Sequence, residues 1–325
     1  MLRILLANLP LLPIYRARWR YLHGGDSHAR FLGELRAFAE REKLVWPAGR
    51  NARLGYYLVG VDLLLFWLAG LYGRKPSMAE RRLGWHMACL VPLGDDLADQ
   101  AGRKAEEVAR AVLQQPREQQ TAEERLLGYV YHFILQHHPD PASFQPYLQA
   151  AMQAQNESLA QKQGKLSRED LLHIAYQKGG TALIMLRSSL AEPIPAAENP
   201  ALRQLGGFIQ LLNDLFDVYR DEQEGVQTLA NQAEDIRLFR REWELAVENV
   251  LGAFDRWAVP ERRKMRFRRQ LEPLLAVAEV CFDQYERLQE KSGGRFLPAT
   301  YSRKELVCDM EKPINLWRAL RKLNK

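Results

Sequence analysis

The stretch Gln210-Leu-Leu-Asn213-Asp214-Leu-Phe-Asp217-Val-Tyr-Arg220-Asp221-Glu222 decides how the rest of the chain is read. Leu211, Leu212, Leu215, Phe216 and Val218 recur at three- and four-residue spacing, which predicts a mainly buried helix. On that helix Asn213, Asp217 and Asp221 stand at i, i+4 and i+8 and line one stripe. Uncompensated carboxylates are costly to bury, so the stripe demands a partner, either internal arginines or a metal ion. Oxygen ligands without histidine or cysteine favour Mg2+, which takes a few carboxylates and completes its shell with water and phosphate oxygens.

Upstream, Leu93-Gly-Asp95-Asp96-Leu-Ala-Asp99-Gln100 closes another apolar helix and places Asp95 and Asp99 one turn apart on one face. Asp96 points about 100° away from Asp95. It is therefore expected, like Asp214, to orient the ligands or to bind a basic neighbour.

The same periodicity predicts helices over 26–43, 77–93, 121–136, 144–161, 168–190, 201–222 and 234–257. Alternating β-branched runs are missing, so strands should be nearly absent. Proline and glycine gather at Pro47-Ala-Gly49, Pro139-Asp-Pro141, Glu192-Pro-Ile-Pro195, Pro260 and Ser292-Gly-Gly294, which read as inter-helix loops. The expected fold is all-α: a single-domain antiparallel helical bundle over 26–325, preceded by a leucine-rich N-terminal arm over 1–25.

Composition narrows the function classes. At 47% apolar and 26% charged residues, the chain is globular and not disordered. The apolar run Tyr56–Tyr72 carries Asp62 and ends in Gly73-Arg74-Lys75-Pro76, which argues for a buried helix over a membrane span. Cys89, Cys281 and Cys308 form no CxxC pair, which points to a cytoplasmic setting. Net charge is +6, densest from Arg262 to Arg269, and reads as a solvated face. A scaffold that binds nucleic acid through that run would leave both acidic motifs unexplained. His132, His137 and His138 run into a proline loop and are read as structural or exposed, not as metal ligands.

The two acidic motifs resemble those of class I isoprenoid synthases. Asp95 to Asp99 looks like their DDxxD box, and Asn213 to Asp221 like the asparagine-aspartate box of terpene synthases, with Asp217 in place of a hydroxyl residue and Asp221 in place of glutamate. His173-Ile-Ala-Tyr176-Gln-Lys178-Gly-Gly-Thr181 resembles the lysine-threonine helix of trans-prenyltransferases. Gly49-Arg50-Asn-Ala-Arg53 is similar to their basic GKRxR segment, and Gly225-Val-Gln-Thr-Leu229 to the turn after their second box.

The resemblance implies a helical fold with a central apolar cavity and Mg2+, about three ions bound together with the substrate diphosphate. Asp95, Asp99, Asn213, Asp217 and Asp221 would be the metal ligands, and Lys178, Arg220, Arg50 and Arg53 would bind diphosphate. Arg220 could equally pair with a neighbouring acid. The implied activity is that of a terpene synthase, a lyase that ionises a linear prenyl diphosphate and releases a cyclised or eliminated terpene. The alternative is a trans-prenyltransferase that joins two isoprenoid diphosphates. A homodimer and peripheral membrane contact, with no transmembrane segment and no nucleic acid, complete the expectation.

Overall fold

The computed structural model describes residues 27–101, 121–310 and 312–323; for Asp95 and for 98–101 only the backbone is described. The expected N-terminal arm lies outside these residues. Among the described residues all regular structure is helical: α1 (Ser27–Arg41), α2 (Arg50–Leu71), α3 (Met78–Ala101), α4 (Ala122–His137), α5 (Pro141–Ser158), α6 (Arg168–Arg187), α7 (Asn199–Gln223), α8 (Ile236–Arg256), α9 (Glu261–Lys291), α10 (Arg303–Leu306) and α11 (Pro313–Lys322). The all-α fold read from the sequence is therefore observed. The helices divide between two compact units, which are taken in turn.

One unit carries α1 to α4, most of α5 and residues 185–194. Its helices start where short polar side chains satisfy the orphan N–H groups. Ser77 and Glu80 exchange side-chain-to-backbone hydrogen bonds of 3.2 and 2.7 Å at the start of α3, and Thr121 and Glu124 form the same box at α4. Helix α2 is long and apolar enough to cross a membrane by length and composition, but Leu58, Leu65, Trp67 and Leu68 are all buried within the protein.

Asp62 on α2 has no solvent exposure. It accepts hydrogen bonds from His28 Nε2 at 2.8 Å, Arg81 Nε at 2.9 Å and Trp85 Nε1 at 2.9 Å. Burial pushes this carboxyl up, but the bonds from His28 and Arg81 outweigh it and hold the group below its ordinary range. The charge that argued against a membrane span is thus the point at which α1, α2 and α3 are tied. Arg187, Tyr72 and Glu192 make a second tie: the Arg187 guanidinium lies over the Tyr72 ring and bonds its hydroxyl at 2.7 Å and the Glu192 carbonyl at 2.9 Å.

The other unit comprises 157–184 and the described residues from 195 onward. Helices α7, α8 and α9 pack around Phe208, Trp243, Phe239 and Phe282, with Phe208 stacked on Trp243 at 4.5 Å. Arg240 on α8 lies over Phe282 and pairs with Glu279, Asp283 and Glu286, an acidic row along α9. Lys322 of α11 closes on the same row at 2.8 Å from Asp283.

Candidate functional site

The geometry of the second acidic motif begins with four glycines. Gly179-Gly180 on α6 meets Gly206-Gly207 on α7 at backbone contact: a methyl group on Gly206 would fall 2.7 Å from Gly180 Cα, and one on Gly207 would fall 2.6 Å from the Tyr176 ring. At Gly179 and Gly206 main chain meets main chain, and the Tyr176 ring packs directly on Gly207. Lys178 precedes one pair, and the acidic motif begins two turns beyond the other, so the crossing brings the ammonium to the carboxylates. Its charge acts on both Asp214 and Asp217.

The carboxylates are strongly perturbed. Asp214 is buried and accepts from Gln210 Nε2 at 2.8 Å. Burial pushes its carboxyl up to about 6, against the pull of Gln210 and Lys178. Burial also raises Asp217, whose carboxylate accepts from Arg220 Nη2 at 2.6 Å. Asp221 is pushed up to about 7, first by burial and then by the charges of Asp214 and Asp217. Asn213 is exposed at the open end of the stripe. Asp214, Asp217, Asp221 and Glu224 thus share one field, in which Lys178 and Arg220 act against the acids.

Asp214 belongs to this cluster as fully as Asp221. Seven residues make about 700°, so the two stand within roughly 20° of each other on the helix. Counting in fours from Asn213 hides this relation.

The back of the motif is held by α9. The Tyr285 hydroxyl shares its one proton between the carbonyls of Leu306 and Leu215, at 2.8 and 3.1 Å, and Cys281 lies 3.7 Å from Leu215 O. After the motif, Gly225 takes the left-handed conformation at φ 66° and Val226 N–H returns to Asp221 O at 2.8 Å, ending α7. Gln161 is buried. Its side chain bonds Gln227 O at 2.7 Å and its carbonyl accepts Gln227 N–H at 2.9 Å, so it pins the turn.

In the other unit, Asp96 on α3 is the described carboxylate of the first motif; the side chains of Asp95 and Asp99 lie outside the described residues. Asp96 accepts from Arg53 Nη1 at 2.5 Å and Arg50 Nη2 at 3.3 Å, and Arg53 also reaches Pro92 O at 3.2 Å. Arg50 is buried, with 5% of its side chain exposed, and lies over the Trp46 ring at 5.1 Å. Its Nε and Nη1 have no hydrogen-bond partner among the described residues. Buried guanidinium nitrogens without acceptors are costly, and an anion satisfies them.

Other basic residues and the histidines are engaged or exposed elsewhere. Arg187 is consumed by Tyr72 and Glu192, and Arg303 and Lys304 are exposed on α10. His132 and His137 donate to carbonyls one turn back, and His138 bonds Ser188. Phe208 lines a cavity of about 220 Å³ with Val247, Val250, Leu251 and Leu271.

The donor set suits a hard cation. Among the described residues no three histidine, cysteine or acidic side chains converge closely enough to hold a metal by themselves. Asn213, Asp217 and Asp221 carry oxygen donors, the ligand type that Mg2+ takes together with water and phosphate oxygens.

The sequence matches no protein-family model and no curated protein. Among solved structures it is similar to a geranyltransferase from Legionella pneumophila, at 12% identity and a TM-score of 0.41, covering 77% of this chain and 98% of that one. A likeness that loose decides neither family nor activity.

Proposed function

We propose that the chain is a Mg2+-dependent enzyme of the class I isoprenoid synthase type that ionises a prenyl diphosphate. The observation that carries this reading is the cluster of Asp214, Asp217 and Asp221, three carboxylates under-neutralised by Lys178 and Arg220. Asn213, Asp217 and Asp221 are the proposed ligands on α7, and Asp95 and Asp99 those on α3. Mg2+ bound there supplies charge neutralisation that makes diphosphate a better leaving group.

The chain's own residues do the rest. Lys178 binds a diphosphate oxygen across the glycine crossing. Arg220 exchanges its bond to Asp217 for one to the diphosphate, which frees Asp217 as a ligand. Asp214 remains beneath, bonded to Gln210 and within the field of the Lys178 ammonium.

Transfer of the prenyl group to a second isoprenoid is favoured over cyclisation by the second cationic site. A cyclase holds one diphosphate, whereas a transferase must hold two phosphorylated substrates, and Arg50 offers two unmatched N–H donors beside Arg53. The cyclase reading keeps the support of Asn213 at the head of the second motif, where terpene synthases carry asparagine.

Purified protein incubated with geranyl, farnesyl or geranylgeranyl diphosphate and Mg2+, with and without isopentenyl diphosphate, tests both. A longer or condensed prenyl product establishes transfer, and a hydrocarbon or alcohol from one substrate establishes cyclisation. Diphosphate release in neither case refutes the proposal. Lys178→Ala should weaken substrate binding, read as a rise in KM of at least about tenfold for one lost charge-assisted bond.

A further inference from the structure

Helix α11 packs against the protein with the wrong face for a soluble amphipathic helix. Its inward positions are Asn315, Ala319 and Lys322, tied by Asn315 Nδ2 to Asp309 O at 2.9 Å and by Lys322 to Asp283 at 2.8 Å. Its outward positions are Ile314, Leu316, Trp317 and Leu320, exposed by 50, 53, 52 and 42%. By helix geometry these four, with Pro313, span an arc of about 160°, in which Arg321 stands between Trp317 and Ile314. A surface helix ordinarily buries its apolar stripe and leaves charge outside, so this helix presents a surface that water does not favour.

The charge around the stripe selects the partner. Residues 313–322 contain no acid. Arg321 lies over the Trp317 ring at 4.8 Å, and Arg318 reaches Asn315; neither has an acidic partner among the described residues. An exposed tryptophan between leucine, isoleucine and arginine is the composition of a helix that lies in a bilayer interface, with rings and aliphatic chains below the headgroups and guanidinium groups against phosphate. A protein partner would need an acidic rim around an apolar groove, whereas an anionic lipid surface supplies both features at once.

We infer that α11 is a membrane-docking helix that seats the protein on anionic phospholipid bilayers through Leu316, Trp317 and Leu320, with Arg318 and Arg321 at the headgroups. The full chain should float with vesicles of phosphatidylcholine containing roughly one-third phosphatidylglycerol, bind much less to phosphatidylcholine alone, and be released by high salt. The triple substitution Leu316→Ser, Trp317→Ser, Leu320→Ser should cut vesicle binding by at least about tenfold. Its circular dichroism and melting temperature should stay unchanged, because the removed side chains are about half exposed.

Undiminished binding by a folded triple variant would overturn the assignment and move the contact elsewhere on the chain. Absence of binding to any vesicle would also overturn it. If the parent were then dimeric and the triple variant monomeric by light scattering, the face would belong to a second copy of the chain.

Discussion

Asp221→Asn removes a charge from the α7 cluster while keeping the shape of the side chain. Burial and the neighbouring Asp214 and Asp217 set the Asp221 carboxyl at about 7 against an ordinary 3.8. Between those values the folded protein keeps a proton that the unfolded chain has released. Stability therefore falls as pH rises through this window and stays lost above it. At about 1.4 kcal/mol per pH unit, the span sets a ceiling of roughly 4 kcal/mol. The cluster titrates as a unit, and removing one acid also relaxes its neighbours, so the single substitution should recover about 1 to 3 kcal/mol at pH 8. Thermal melts of metal-free protein at pH 5 and pH 8 read this as a gain of several degrees for the variant at pH 8 and a smaller one at pH 5. Mg2+ with inorganic diphosphate should raise the melting temperature of the parent at pH 8 and barely move the variant. A variant no more stable than the parent at pH 8, or equally stabilised at both pH values, would refute the electrostatic reasoning.

Gly206→Ala should lower stability by at least about 2 kcal/mol in urea titration, because the new methyl meets the backbone of α6 and has no flexible side chain to displace. Gly60→Ala, on α2 with open space around the new carbon, should instead stabilise by about 0.5 to 1 kcal/mol in the same assay. Asp62→Asn leaves Arg81 and His28 facing a neutral group in the core and should cost roughly 3 to 5 kcal/mol, seen as a large drop in urea midpoint. Because the folded Asp62 carboxyl lies below its ordinary value, its contribution is present above about pH 4 and is lost as pH falls through the folded value.

The helices were legible because burial imprints a 3.6-residue period wherever one face is covered, and this held from α1 to α8. Asp62 could be read as evidence for a buried helix, but not its partners, since His28 and Arg81 lie 34 and 19 residues away in sequence. The role of Gln161 was not legible, because it depends on a turn 66 residues later. The acidic column on α7 was visible from spacing alone. Its balance of charge was not, because that depends on a helix crossing made by two Gly-Gly pairs whose meeting no local pattern announces. Helix α11 defeats the periodic rule outright: pattern reading turns its leucines inward, and the acidic row on α9 holds its lysine there instead.

The glycine crossing has a consequence for how this chain can change. Where helices are spaced by side chains, each core substitution resets the distance between the groups they carry, by up to the size of a methyl group or more. At Gly179 and Gly206 main chain rests on main chain, and the gap has no adjustable part. The apolar residues of α8 and α9 can therefore be exchanged, by drift or by an engineer reshaping the cavity beside Phe208, while the reach from Lys178 to the carboxylates keeps its length. Pocket shape and ionic register are separately inherited properties that meet on α7.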